Sequence, residues 1–144
     1  MKYFFQQMGI KDYKFRTLGT GLTNPIDNMK LRSRDLLKPG LLNLNGGVWN
    51  GKQLLNKAYI DEATTAHATV NKTESYAYFW WINRIKIKGE NYEVKTAFGA
   101  GGQMIYVVPE FDMVVVFTAE KAYKRKLLAL LQNSIVPAFL TKKL

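Results

Sequence analysis

Apolar residues near the start of the chain recur at helical spacing. Tyr3, Phe4, Phe5, Met8 and Ile10 read as the end of an apolar helix closed by Gly9, the residue type that adopts the left-handed C′ conformation at least cost. Gly19, Gly21, Asn24-Pro25 and Asp27-Asn28 then mark an irregular loop, so residues 1–30 read as a lead-in segment. Residues 31–66 read as helical. Ser33 is a good N-cap, Asp35 suits the first turn, and Leu36, Leu37, Leu41 and Leu44 share a stripe. Lys38-Pro39-Gly40 cuts into that stripe and predicts a kink or break, because an interior proline removes a donor and clashes with the preceding turn at ~3 kcal/mol or more. Asn45-Gly46-Gly47 ends the segment. Val48 to Lys52 reads as a short turn holding a buried Trp49, and Asn56 caps a further helix through about Thr65.

Beyond a loop at Asn71 to Ser75 the period changes, and residues 76–118 read as antiparallel strands. Tyr76 to Ile87 is rich in aromatic and β-branched residues, Lys88-Gly89-Glu90-Asn91 is a turn, and Tyr92 to Phe98 returns. Met104 to Val108 and Met113 to Thr118 follow as a second hairpin across Pro109-Glu110-Phe111-Asp112. Their near-continuous apolar character predicts strands covered on both faces. A last helix is expected over 120–136, with Tyr123, Leu127, Leu130, Leu131 and Ile135 on one stripe and Pro137 as its stop. The order predicts an α+β fold, an antiparallel sheet flanked by helices.

Composition narrows the chemistry. The chain has 144 residues, 47% of them apolar and 22% charged, which suits one packed unit or a piece of a larger one. No apolar run approaches the ~20 residues of a membrane span, and the first residues turn polar too soon for a signal peptide. There is no cysteine, which removes disulfides, thiol nucleophiles and cysteine metal sites. His67 is the only histidine, follows a helix end, and reads as a surface residue. No carboxylate cluster offers a metal site, and no cofactor is expected. The net charge is +10, spread along the chain. Such an excess suits anionic partners or reflects a lysine-rich composition with no partner behind it. Tyr76, Tyr78, Trp80 and Trp81 interleave with Arg84, Lys86 and Lys88, a pattern able to stack bases, although nucleic acid is not the expected partner. Lys121, Lys124, Arg125 and Lys126 open the last helix, the wrong end for cations by its dipole, and read as a solvated face.

Four stretches in order carry a resemblance: Leu31-Arg32-Ser33-Arg34-Asp35-Leu36, Leu44 to Lys52 (LNGGVWNGK), Tyr78-Phe79-Trp80-Trp81, and Phe98 to Asp112 (FGAGGQMIYVVPEFD). Together they resemble the carboxyl-terminal part of the serine β-lactamase-related hydrolases, the class C-like penicillin-recognising family that also contains esterases and amide hydrolases. The likeness runs from about Met8 to the final helix. It implies a partial β-lactamase/transpeptidase-like fold and acyl chemistry on an ester, amide or β-lactam. The family works through a Ser-x-x-Lys nucleophile and base and a Tyr-x-Asn motif. Neither is present. Ser33, Ser75 and Ser134 are followed three positions on by Leu36, Tyr78 and Pro137, and no tyrosine has an asparagine two positions on. The expectation is a carboxyl-terminal segment of such a hydrolase, inactive alone, whose partner is the upstream part or a second copy, with an acyl substrate only in the complete enzyme. The alternative is a non-catalytic interaction module derived from this fold, binding a protein or polyanion. Relatives are often exported.

The resemblance also implies one surviving site element. A third family motif on the strand edging the cleft matches Ala97, Phe98, Gly99, Ala100, Gly101, Gly102 and Gln103. Ala97-Phe98-Gly99 takes the motif position and the Ala100 N–H that of the oxyanion donor, with Lys95-Thr96-Ala97 as an alternative register. Glycine without a Cβ allows close approach of a substrate. A β-bulge or tight bend accounts for the same glycines. Ala97 lacks the usual cationic or polar side chain, and Pro39 and Asp27-Asn28 depart from the family pattern.

Overall fold

The computed structural model describes residues 2–15 and 29–141. Its fold is α+β, an antiparallel sheet flanked by helices. The irregular loop expected around Gly19, Gly21, Asn24-Pro25 and Asp27-Asn28 lies outside the described residues.

Helix α1 (Lys2–Gln7) ends as expected: Gly9 has φ +64°, and the Ile10 N–H donates to the Phe5 carbonyl at 2.8 Å. Phe5, Met8 and Ile10 are buried with Leu42 in a small core, beside the two-stranded ribbon of β1 (Tyr13–Lys14) and β2 (Lys30–Leu31). Helix α2 (Ser33–Leu44) corrects two expectations. Arg32, not Ser33, is its N-cap, and the Ser33 hydroxyl instead meets the Thr118 hydroxyl at 3.1 Å. Pro39 does not break it, and the helix runs through all twelve residues. The tertiary reason is the next residue: a Cβ on Gly40 would lie 2.6 Å from Val114 Cγ1 and 2.7 Å from Ile105 Cγ2, so the helix is pressed onto the sheet there. Gly46 (φ +57°) and Gly47 (φ +87°) lead into the ribbon of β3 (Val48–Trp49) and β4 (Lys52–Gln53), so the short turn expected over Val48 to Lys52 is flanked by a strand pair, and Trp49 is half-buried, not buried. Asn56 does cap α3 (Lys57–Ala63), its side-chain oxygen accepting the Ala58 N–H at 2.9 Å.

The sheet has six strands in the order β10-β9-β8-β7-β6-β5, all antiparallel, where four were expected. Residues 71–75, read as a loop, belong to a hairpin of β5 (Ala68–Asn71) and β6 (Glu74–Tyr76). The single strand expected over Tyr76 to Ile87 is divided: a short turn with Phe79 at φ +61° separates β6 from β7 (Trp81–Ile87). Lys88 and Gly89, at φ +50° and +96°, make the two-residue turn into β8 (Glu90–Phe98). β9 (Met104–Val108), buried at every residue, and edge strand β10 (Met113–Phe117) complete the sheet.

The terminal helix also differs from expectation. It starts at Lys124, as α4 (Lys124–Leu130), and passes through a π-helical turn at Leu131–Ile135 into α5 (Val136–Thr141). Pro137 therefore lies in the first turn after the π segment and does not stop it. Tyr123 and Leu130, expected on the apolar stripe, are exposed. Leu131 and Val136 are buried against Ile85, Ile87, Val94, Met104, Tyr106 and Val108, on the sheet face opposite α2.

Candidate functional site

Alternation along β8 places Lys95 and Ala97 on the α2 side and Thr96 and Phe98 on the terminal-helix side. Ala97 pairs with Ile105 and Phe98 with Met104, so the expected site begins inside the ladder and ends in the β8–β9 turn. In that turn the Gly99 N–H donates to the Gln103 carbonyl at 2.8 Å and the Gly102 N–H to the Gly99 carbonyl at 3.0 Å. Gly102 has φ +95°, and a Cβ there would stand 2.9 Å from the Ala122 Cβ and 3.0 Å from its nitrogen. Gln103 Nε2 donates to the Ala119 carbonyl at 3.1 Å. Turn geometry and close approach to residues 119–122 thus account for the glycines. Ala100 is exposed, and its N–H meets no acceptor among the described residues. The Thr96 hydroxyl is buried and donates to Asn83 Oδ1 at 2.9 Å, so a Lys95-Thr96-Ala97 register would draw on a hydroxyl already committed inside the molecule.

The densest polar cluster was not anticipated from the sequence. Asn83, fully buried on β7, accepts from Thr96 and donates to Glu74 Oε1 at 2.9 Å. Glu74 also accepts from Asn71 Nδ2 at 3.0 Å and pairs with Lys124 Nζ at 2.6 Å. The ammonium of Lys124 lies 3.7 Å from the centre of the Trp81 ring. Lys124, expected on a solvated face, is therefore an internal strut that ties the terminal helix to the β5–β6 hairpin. The hydrogen bond from Lys124, helped by Asn71 and Asn83, holds the Glu74 carboxyl below the usual glutamate value against the opposing pull of burial. One signal for this cluster was in the sequence: Asn83 occupies the inward parity of Ile85 and Ile87.

His67 is exposed, as expected. Its Nε2 lies 2.9 Å from the Glu62 carbonyl, and its ring stacks on Tyr78 at 4.4 Å. The Tyr78 hydroxyl donates to Glu62 Oε1 at 3.2 Å, and the neighbouring carboxylate raises its pKa. Phe79 is 85% exposed at the same end of the sheet as Ala97. Among the described residues no group of three His, Cys, Asp or Glu side chains could hold a metal ion, and no helix is long and apolar enough to cross a membrane. Phe98 and Ala100 line a cleft of about 990 Å³ that opens between the sheet and residues 122–128. In the turn the N–H groups of both Ala100 and Gly101 meet no acceptor among the described residues, and no described serine has a basic partner.

No family model and no curated protein matches the chain. Among solved structures it is similar to a Bacillus anthracis protein described as a 6-aminohexanoate-dimer hydrolase, with a TM-score of 0.71 and 24% identity. The alignment covers 96% of this chain and 36% of that protein. The chain thus has a partial β-lactamase-like fold and spans about a third of the length of the solved protein it matches.

Proposed function

We propose that the chain is the carboxyl-terminal portion of a class C-like, β-lactamase-related serine hydrolase, acting in acyl transfer or hydrolysis of an ester, amide or β-lactam. It contributes the sheet, the terminal helix and one wall of the cleft. Ala97 to Gln103 edge the site, and the Ala100 N–H is the oxyanion donor. The observation that carries this reading is the match of nearly the whole chain to about a third of a hydrolase of the same fold. The resemblance at Phe98 to Asp112 supports the placement of the site. A serine nucleophile with its lysine base comes from outside these residues.

An oxyanion donor is worth about 3 kcal/mol to a transition state, but only where a nucleophile has attacked. The purified chain is therefore expected to show no saturable turnover of p-nitrophenyl esters or a chromogenic β-lactam. It should also take no label from a serine-directed fluorophosphonate. Turnover together with labelling of Ser33, Ser75 or Ser134 would overturn this reading.

A further inference from the structure

The cleft beside the β8–β9 turn shares Phe98 and Ala100 with the hydrolase reading, but its cationic lining has no role in that reading. Its cationic lining is Arg84, Lys124, Arg125 and Lys126, and Glu74 is its one carboxylate. These cations are not equivalent. Lys124 is committed: its side chain is 18% exposed, paired with Glu74 and seated over Trp81. Arg125 and Lys126 are exposed, and neither reaches a carboxylate among the described residues; Arg84, of opposite parity to Asn83 on β7, faces the other side of the sheet. Two aromatic faces stand with them, Phe98 at 39% and Tyr123 at 72% exposure, and the Lys126 ammonium lies 5.8 Å from the Tyr123 ring.

Exposed cations on a convex surface are ordinary solvated charges. Here they edge a concavity of about 990 Å³, where low-dielectric walls focus their field. The floor is held in place by the buried Thr96–Asn83–Glu74–Lys124 chain of hydrogen bonds. The far wall is tied to the near one where Gly102 packs on Ala122 and Gln103 bonds to Ala119. Guanidinium forks recognise planar or tetrahedral oxyanions, and exposed aromatic rings hold flat apolar groups.

We propose that this cleft is a binding site for a small organic oxyanion, a carboxylate or phosphate carried on an aromatic group. The anion is received by Arg125 and Lys126, and the ring lies against Phe98 and Tyr123. Glu74 sets the charge of the site by cancelling Lys124. The proposal concerns binding alone and does not depend on the chain being part of a hydrolase.

The test is titration of the purified chain with phenyl phosphate, benzoate, inorganic phosphate and phenol, followed by calorimetry and by backbone amide shifts. Phenyl phosphate or benzoate should saturate, with shifts confined to residues around the cleft, and the tighter of the two identifies the oxyanion. Inorganic phosphate should bind at least about fivefold more weakly, and phenol should not saturate. The double variant Arg125→Gln/Lys126→Gln should weaken binding about tenfold, and Phe98→Ala about threefold. Lys86→Gln/Lys88→Gln removes as much charge from exposed positions outside the cleft and should change affinity less than twofold. Glu74→Gln should tighten binding severalfold, because Lys124 then faces the ligand uncompensated. Melting curves of the exposed variants should match the parent. Equal losses from the two lysine- and arginine-neutralising double variants, shifts scattered over the surface, or no saturation by either aromatic anion would each overturn the proposal.

Discussion

Glu74, on β6, is where four elements meet, and its protonation should register in the stability of the whole chain. In the folded protein its carboxyl is held below the ordinary value of 4.5 by Lys124 first, then by Asn71 and Asn83. At acid pH the unfolded chain binds more protons than the folded one, so this term stabilises the fold above pH 4.5 and is lost as pH falls through the lower, folded-state value. The melting temperature should drop over that acid interval, and Glu74→Gln should flatten the drop while lowering stability near neutrality. A variant with the parent's acid dependence would remove Glu74 from the account. Gly102 makes a second prediction at this scale. Alanine there meets both φ +95° and a contact of 2.9 Å with Ala122, so Gly102→Ala should cost on the order of 1–3 kcal/mol in a denaturant titration. Gly89→Ala has a similar φ and nothing within 4 Å, which makes it the control for backbone strain alone.

Among the elements, α2 shows packing overriding local propensity. Proline and glycine side by side are poor helix formers, yet Pro39 and Gly40 sit within twelve continuous helical residues. At Gly40 the helix lies against the sheet with no room for a Cβ, and a larger residue would press on Val114 and Ile105. On propensity alone Gly40→Ala should stabilise the helix by about 1 kcal/mol. The crowding methyls of Val114 and Ile105 belong to branched side chains in a packed layer, so the expected net effect is a loss of about 1–2 kcal/mol. Thermal unfolding of Gly40→Ala decides the sign, and a stabilised variant would show that the layer yields. The terminal helix has its own accommodation: the π turn at Leu131–Ile135 places Leu131 and Val136 on the core and lets Pro137 begin a fresh turn.

At the level of the whole molecule, β10 is the edge of the sheet and pairs only with β9 among the described strands. Met113-Val114-Val115-Val116-Phe117 carries no charge, proline or bulge, the usual devices that keep an edge from pairing with another chain. In isolation the chain should therefore self-associate through this edge, or take up a complementary strand, although its +10 charge opposes close approach. Light scattering should show a mass that rises with concentration and more strongly at high salt, accompanied by binding of a hydrophobic dye. A monodisperse monomer that binds no dye would mark the edge as satisfied within the chain and favour an interaction module over a hydrolase segment.

The sequence alone determined the features that local pattern encodes. The aromatic and β-branched run of β7 and a turn after it at Lys88-Gly89, expected two residues longer, the apolar runs of β9 and β10 with their short connection, Gly9 and Asn56 at helix ends, and the α+β class were all legible, because each rests on neighbours a few residues apart. The lack of a Ser-x-x-Lys or Tyr-x-Asn pair was equally plain. Tertiary structure decided the rest. The β5–β6 hairpin is short and largely exposed, so it carries no apolar alternation to betray it, and it is a strand pair because β7 offers an edge to continue. Glu74 and Lys124 lie fifty residues apart, and only the packing of α4 on the sheet makes a strut of a charge that local reasoning leaves in water. The glycines at 99–102 were visible as a feature, but their physical cause, a tight turn pressed against Ala122, depends on where the chain returns twenty residues later.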